Sequence, residues 1–349
     1  MKKVVLFMAL LILVTAFLNA ETKLKMEIWN RWTYKTSDGE VEKNEFAVKR
    51  GYFRLEPKFG NNIKGRFNVD FFSDDGADDG VGLKMKYAYL DFSNLLPIKD
   101  SKLTIGLMKT YFGTIYDWDY TTIEKDPSDL YKFVSSTDYG LGISGYLPNG
   151  FGTYAVCAYN GEGYKNTGSK INYGINPLVN LRLIPVTGVT IGGSYMLKTE
   201  GKSEIEEGGE MVDNPDREEY SQMAGVGKFA FGPAYVLAQY LMKETDMPNM
   251  DDFEKFTETV ISAMGVFKVN SKLDIVARYD IYDPDTDVDD DGKNLIIGGV
   301  NYHIMRDSKN APKLFLQLNF EQLSYECDDY ESETQILAQL RWIFSETMK

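Results

Sequence analysis

Asn62-Ile63-Lys64-Gly65-Arg66-Phe67-Asn68-Val69-Asp70-Phe71-Phe72 is the stretch on which the fold turns. Its even positions up to Asp70, namely Asn62, Lys64, Arg66, Asn68 and Asp70, are polar. Its odd positions, Ile63, Gly65, Phe67, Val69 and Phe71, are apolar or small. Successive side chains of a strand point to opposite faces, so an extended chain here has one wet face and one greasy face. The alternation returns in Lys313–Glu321, where Leu314, Leu316, Leu318 and Phe320 oppose Lys313, Gln317, Asn319 and Glu321. It recurs where Leu103, Ile105 and Leu107 oppose Lys102 and Thr104. Leu273, Ile275, Ala277 and Tyr279 likewise oppose Asp274, Arg278 and Asp280, and Ile336, Ala338, Leu340, Trp342 and Phe344 oppose Gln335, Gln339 and Arg341. About ten residues of alternation per segment is the mark of a strand that crosses a bilayer.

Working outward, about sixteen such segments follow one another. They lie near 23–34, 46–57, 62–72, 83–92, 102–108, 137–147, 151–160, 169–184, 189–199, 219–231, 234–243, 257–269, 272–281, 293–304, 313–324 and 333–344. The linkers between them alternate in kind. Lys58–Asn61, Leu147–Gly150, Pro185–Gly188, Gly232-Pro233 and Asn270-Ser271 are tight, rich in Gly, Pro and Asn. Ser73–Gly82, Lys109–Ser136, Glu200–Glu218, Lys243–Phe256 and Tyr282–Gly292 are longer and mostly acidic. Ser93–Ser101 and Met305–Pro312 are long for the tight end. A soluble β-sandwich gives no reason for linker length to alternate by parity, whereas a membrane barrel does. The expected fold is therefore an all-β, transmembrane antiparallel β-barrel of about 16 strands. Short periplasmic turns close one end and long acidic extracellular loops the other.

Composition agrees. Apolar residues are 43% of the 349, too few for a bundle of membrane helices, and aromatics reach 13%, which favours strands. With 38 basic and 52 acidic residues, nucleic acid is an unsuitable partner. One histidine (His303) and two cysteines (Cys157 and Cys327) exclude His/Cys zinc sites, and no nucleophile motif or phosphate loop points to an enzyme. The N-terminus reads as a secretory signal over residues 1–20: Lys2 and Lys3, the apolar run Val4–Leu18, then Ala20 before Glu21. That run is shorter than the roughly 20 residues a spanning helix needs. Residues 21–349 then form the barrel, and export directs it to the bacterial outer membrane. Every backbone polar group in lipid must be satisfied internally.

Three constellations could carry function. The longest internal loop, Lys109–Ser136, holds Tyr111, Phe112, Asp117, Trp118 and Asp119. So many aromatics suit a loop folded inward as a constriction better than one solvated above the membrane. Secondly, register places Arg50, Arg54, Lys64, Arg66, Arg182, Arg278 and Arg341 on inward faces, together with the acidic Glu56, Asp70, Asp91, Asp280 and Glu321. A charge facing lipid at midplane costs about 2–4 kcal/mol. These charges either recruit anions or form a mutual salt-bridge network that stiffens the wall. Thirdly, Asp287, Asp289, Asp291 and Gly292 match the start of a calcium loop. The twelfth position is Gly298, where that motif has Glu, so the alternatives are a rim Ca2+ site and a solvated acidic loop. No other cofactor is expected.

Several stretches resemble the phosphate-selective porin O/P family. They are Lys49–Leu55, Tyr87–Asp91, Leu103–Gly113, Tyr159–Tyr164, Arg278–Asp280 and Gly299–Tyr302, in the same order along the chain. The resemblance implies a sixteen-stranded homotrimeric porin with an inward third loop. The expected function is passive diffusion of small charged or hydrophilic solutes, anions such as phosphate included. Outer-membrane lipid would surround the barrel. The alternative is a closed barrel with a structural or adhesive, cation-binding role. Acidic loops repel anions at the mouth, so the sequence leaves charge preference open.

Overall fold

The computed structural model describes residues 21–78, 80–166, 174–201, 204–207, 210–214, 217–250, 253–305, 313–327 and 329–348. The expected signal, 1–20, and most of the Met305–Pro312 linker lie outside these residues.

Among the described residues eighteen strands are formed. They are β1 (Glu21–Ser37), β2 (Glu40–Phe59), β3 (Ile63–Ser73), β4 (Val81–Ser93), β5 (Ser101–Lys109), β6 (Thr137–Tyr146), β7 (Gly152–Tyr159), β8 (Asn176–Val186) and β9 (Val189–Glu200). Then come the short β10 (Glu204–Glu207) and β11 (Glu210–Asp213), followed by β12 (Glu218–Phe231), β13 (Ala234–Asp246), β14 (Phe256–Lys268), β15 (Leu273–Asp283), β16 (Lys293–Met305), β17 (Lys313–Tyr325) and β18 (Glu333–Met348). β10 and β11 pair only with each other, as a hairpin within the loop between β9 and β12. The other sixteen close into one barrel, each antiparallel to its sequence neighbour. β1 seals the cylinder against β18 over a continuous register from Thr22↔Met348 to Ser37↔Glu333. Among the described residues the barrel sheet presents no open edge to lipid.

The alternation read from Asn62–Phe72 holds in space. Phe67 is 39% exposed on the outside, whereas Asn68 is fully buried within. Directly paired residues share a face, so inward positions form rows across strands. One row runs Lys25↔Arg54↔Asn68↔Tyr87 and its neighbour runs Glu27↔Tyr52↔Asp70↔Lys84. Bulges interrupt the count at Trp29/Asn30 and at Asn68/Val69, and each resets parity for the residues beyond it.

One element departs from the sequence reading and another lies partly outside the described residues. Of the expected eighth segment, 169–184, residues 169–173 lie outside them, and β8 begins at Asn176. The Asn176 side chain ends the ladder there: its Oδ1 accepts from Thr199 N at 2.6 Å and its Nδ2 donates to Asn160 O. The expected break after residue 34 is absent. β1 and β2 instead run on as a tall hairpin turned by Asp38-Gly39, both at positive φ (50° and 73°), the two-residue turn that matches strand twist.

The geometry predicts that nitroxide labels at positions 67 and 68 report opposite surroundings. The first should be open to oxygen dissolved in hydrocarbon and the second shielded from it. Matching accessibility at the two sites would contradict the closed barrel.

Candidate functional site within the lumen

The connection between β5 and β6, residues 110–136, enters the barrel and crosses it. Peptide groups taken out of water need partners, and the wall supplies them from distant strands. Gly113 N–H donates to Ser194 Oγ (3.1 Å) and Thr114 N–H to Gln239 Oε1 (3.1 Å). In return, Gln222 donates to Phe133 O (2.8 Å), Arg278 to Lys125 O (2.6 Å) and Asn301 to Thr121 O (2.9 Å). Gln317 donates to Tyr120 O and Arg341 to Asp119 O, each at 3.0 Å. The loop is thus tied to β8, β9, β12, β13 and β15–β18. Its one helical turn, α1 (Pro127–Leu130), is capped by Asp126, which accepts from Ser128 N–H at 2.8 Å. Gly113 makes the closest approach. It sits at φ 50°, and a Cβ there would lie 2.8 Å from both Gln239 Oε1 and Ser128 Oγ.

Apolar contact finishes the seal. Phe112, Ile115, Phe133 and Val134 of the loop form one buried cluster with Met108 and with Ala155, Cys157, Tyr159, Leu178, Met196, Ala224, Leu241 and Val260 of the wall. This corrects the expectation of a polar inner face throughout. Beneath the loop the inward positions face protein rather than water, so Val260, Met264, Val276 and Ile297 point inward and are buried. Those strands are apolar on both faces, which blurs a period-2 pattern. Phe112 is fully buried and anchors the loop, whereas Tyr111, Asp117, Trp118 and Asp119 border the open recesses.

The opposite sector, β1–β5, is basic. Arg50 is stacked within 5 Å of the rings of Trp29, Tyr52 and Tyr120. It also lies 3.8 Å from Asp70. Arg54 donates to Asn68 Oδ1 (3.1 Å) and lies 3.6 Å from Glu56, and Arg66 lies over Tyr87 at 3.9 Å. Lys25, Arg31, Lys84, Lys86 and Lys102 join them. Lys84 lies 3.6 Å from Asp70, Lys102 2.8 Å from Asp91, and Arg31 donates to Gln339 (3.0 Å). These five were not singled out from sequence, although Lys25 and Lys84 alternate with apolar neighbours as plainly as Arg54 does. Lys64 stands at the short-turn rim, lining a recess with Lys23, Lys58 and Arg66.

Three of the expected lumen charges point inward but are covered. Arg278 and Asp280 form a fully buried pair at 2.6 Å, with Tyr131 OH donating to Asp280 (3.2 Å), and Glu321 is 3% exposed. Arg278 and Asp280 hold the loop in place through Lys125 O and Tyr131, and all three are buried. Arg341 is divided between Glu27 (2.6 Å) and the loop, and Arg182 between Asp117 (2.7 Å) and Gly113 O. In the acidic loop, Asp283 and Asp285 carboxylates accept from the N–H groups of Asp285 and Asp287. Among the described residues no three His, Cys, Asp or Glu side chains converge as metal ligands, the Asp287, Asp289 and Asp291 run included.

A closed sixteen-stranded antiparallel barrel with an apolar outside and a loop folded into its lumen has the fold of the outer-membrane porins. Solved structures agree in fold. OmpT, an outer membrane protein of Vibrio cholerae in its trimer form, superposes with a TM-score of 0.61 at 13% identity, covering 92% of this chain and 99% of its own. An anion-selective porin from Comamonas acidovorans gives 0.61 at 14%, covering 93% and 100%. The outer membrane channel DcaP of Acinetobacter baumannii gives 0.60 at 10%, covering 94% and 97%. No protein-family profile and no curated protein sequence matches the chain.

Two outcomes follow for the loop. Gly113→Ala places an L residue at positive φ, costing roughly 1–2 kcal/mol, and drives its Cβ into the wall. Folded barrels of this variant should be cut by trypsin after Lys125 or Lys132, while the parent resists. The second concerns pH. Burial raises the Asp126 carboxyl above its ordinary 3.8, against hydrogen bonds from Thr114 and Ser128 that favour the charged form. An acid whose pKa rises on folding binds protons more tightly when folded, so anchorage is strongest below 3.8 and weakens as pH rises through the raised value. Amide-exchange protection of the 126–131 turn, corrected for intrinsic rates, should fall over that window and become flat in Asp126→Asn.

Proposed function

We propose that the chain is an outer-membrane channel for passive diffusion of small hydrophilic solutes, favouring anions, phosphate-like oxyanions among them. One observation carries the reading. On β1–β5 the inward faces hold Lys25, Arg31, Arg50, Arg54, Arg66, Lys84 and Lys102 against Glu27, Glu56 and Asp91, with Lys86 and Asp70 also inward but buried, although the chain as a whole carries −14. The acidic excess belongs to the loops. Water and salt screen those loops over about 8 Å at physiological ionic strength. Charges inside the barrel act on a passing ion at contact distance and against low-dielectric walls, so the inner wall outweighs the rim. Arg guanidinium groups suit oxyanions because they offer a planar fork of donors. The porin fold supports the channel, and the resemblance to the phosphate-selective porin O/P family agrees with its charge. A homotrimer in outer-membrane lipid is the assembly that fits, as one structure of similar fold is a trimer.

Planar-bilayer recording across a KCl gradient tests this. Stepwise ohmic conductance should appear, with a reversal potential of the sign set by chloride. Replacing Lys25 and Arg54 together by Gln should lower the chloride-to-potassium permeability ratio roughly tenfold, the equivalent of about 1.4 kcal/mol. Silent membranes with folded protein would refute the channel. A cation-selective parent would refute the charge preference.

A further inference from the structure

A recess of about 300 Å3 opens between the inward loop and the wall of β8, β9 and β12–β14, toward the short-turn end. We infer that this recess binds carboxylates that carry an apolar ring. The inference rests on the channel reading for its biological use, but not for its chemistry.

One side of the recess is apolar. Val226, Leu237 and Met264 of the wall lie beneath Trp118 of the loop, and Trp118 and Leu237 pack against the buried cluster formed by Met264, Val266 and Val276. Tyr116 and Tyr235 close its flanks. Bare water gains little against such a surface, while a ring buried there gains roughly 25 cal/mol per Å2 of apolar area. The volume is at the lower end of the range for small-molecule sites.

The other side holds two cations, Arg182 and Lys228, and two carboxylates, Asp117 and Asp119, and only Asp117 is paired with a cation. Arg182, only 8% exposed, uses Nη1 on Asp117 Oδ2 (2.7 Å) and Nη2 on Gly113 O, and its face lies over Tyr116 at 4.5 Å. Its Nε is buried and has no hydrogen-bond partner. A buried donor left without an acceptor costs free energy until a ligand supplies one. Lys228 projects from β12 between Thr190 and Leu237 on the flanking strands, with its Nζ over Tyr235 at 4.7 Å. Among the described residues no carboxylate lies within ion-pair reach of it. The remaining acid in the recess, Asp119, accepts from the Thr121 hydroxyl at 2.5 Å. An anion therefore finds an unpaired ammonium beside an aromatic floor, with the buried, unpartnered Arg182 Nε–H next to it. Chloride and phosphate use only the first half of that arrangement. A ring-bearing carboxylate uses both.

The test uses the full chain, purified in detergent and in planar bilayers, with benzoate, acetate and benzyl alcohol as probes. Calorimetric titration in micelles should show benzoate binding at least roughly tenfold more tightly than acetate or benzyl alcohol. Lys228→Gln should weaken benzoate roughly tenfold, Lys228→Arg should restore it, and Val226→Ser should narrow the gap between benzoate and acetate. In bilayers, benzoate should block chloride current at concentrations where acetate does not. Equal binding of benzoate and acetate, or a Lys228→Gln protein that binds benzoate as the parent does, would overturn the site. Because binding is read in micelles, a barrel that binds benzoate yet stays silent in bilayers refutes the channel alone. A conducting barrel indifferent to benzoate refutes the recess alone.

Discussion

The ladder between β1 and β18 is the constraint on which everything else rests. A sheet in hydrocarbon has no water to satisfy an open edge, so the first and last strands must meet in register or the structure does not exist in a membrane. Closure also fixes which residues share the interior. Once Trp29 faces in, Arg50 beside it faces in, and the rows of the wall follow strand by strand. Side chains separated by three hundred residues, such as Glu27 and Arg341, then become hydrogen-bonding neighbours at 2.6 Å.

The inward loop and the wall complete each other. A loop of this length inside a barrel carries many peptide groups that would otherwise stay wet. The wall offers Gln222, Gln239, Arg278, Asn301, Gln317 and Arg341 as donors or acceptors to that backbone, and these residues are polar because the loop is there. Equally, Leu241 and Val260 are apolar inside the barrel because Phe112 and Phe133 cover them. The part of the lumen beneath the loop is in this sense a protein core. The β1–β5 sector keeps its charges, and aromatic rings hold them in place: Arg50 among Trp29, Tyr52 and Tyr120, and Arg66 over Tyr87. Such stacking stabilises a guanidinium without neutralising it, so its charge stays on the inner wall.

Strand number, the parity of tight and long connections, and inward placement of Arg54, Arg66 and Asp70 were legible in the sequence, because the bilayer imposes a period of two on every spanning segment. The three constellations were legible to different degrees. Aromatic content marked residues 110–136 as a loop seeking cover. The asymmetry of the basic wall was hidden, because it depends on which strands are neighbours and which charges the loop covers. Arg278 and Asp280 read from sequence like Arg54 and Glu56, yet the first pair is sealed beneath the loop and the second is open. The recess with Lys228 gave no local signal, since its floor comes from residues 118, 226, 237 and 264 on four separate elements.

The sequence by itself therefore determined a closed barrel and the two faces of each strand, since alternation is a local property read against a uniform solvent. Only the tertiary structure decided which part of the interior is packed core and which keeps its charges uncovered. That division is set by where one loop lies down, and the loop's position is the sum of many contacts between residues far apart in the chain, none of which any single segment encodes.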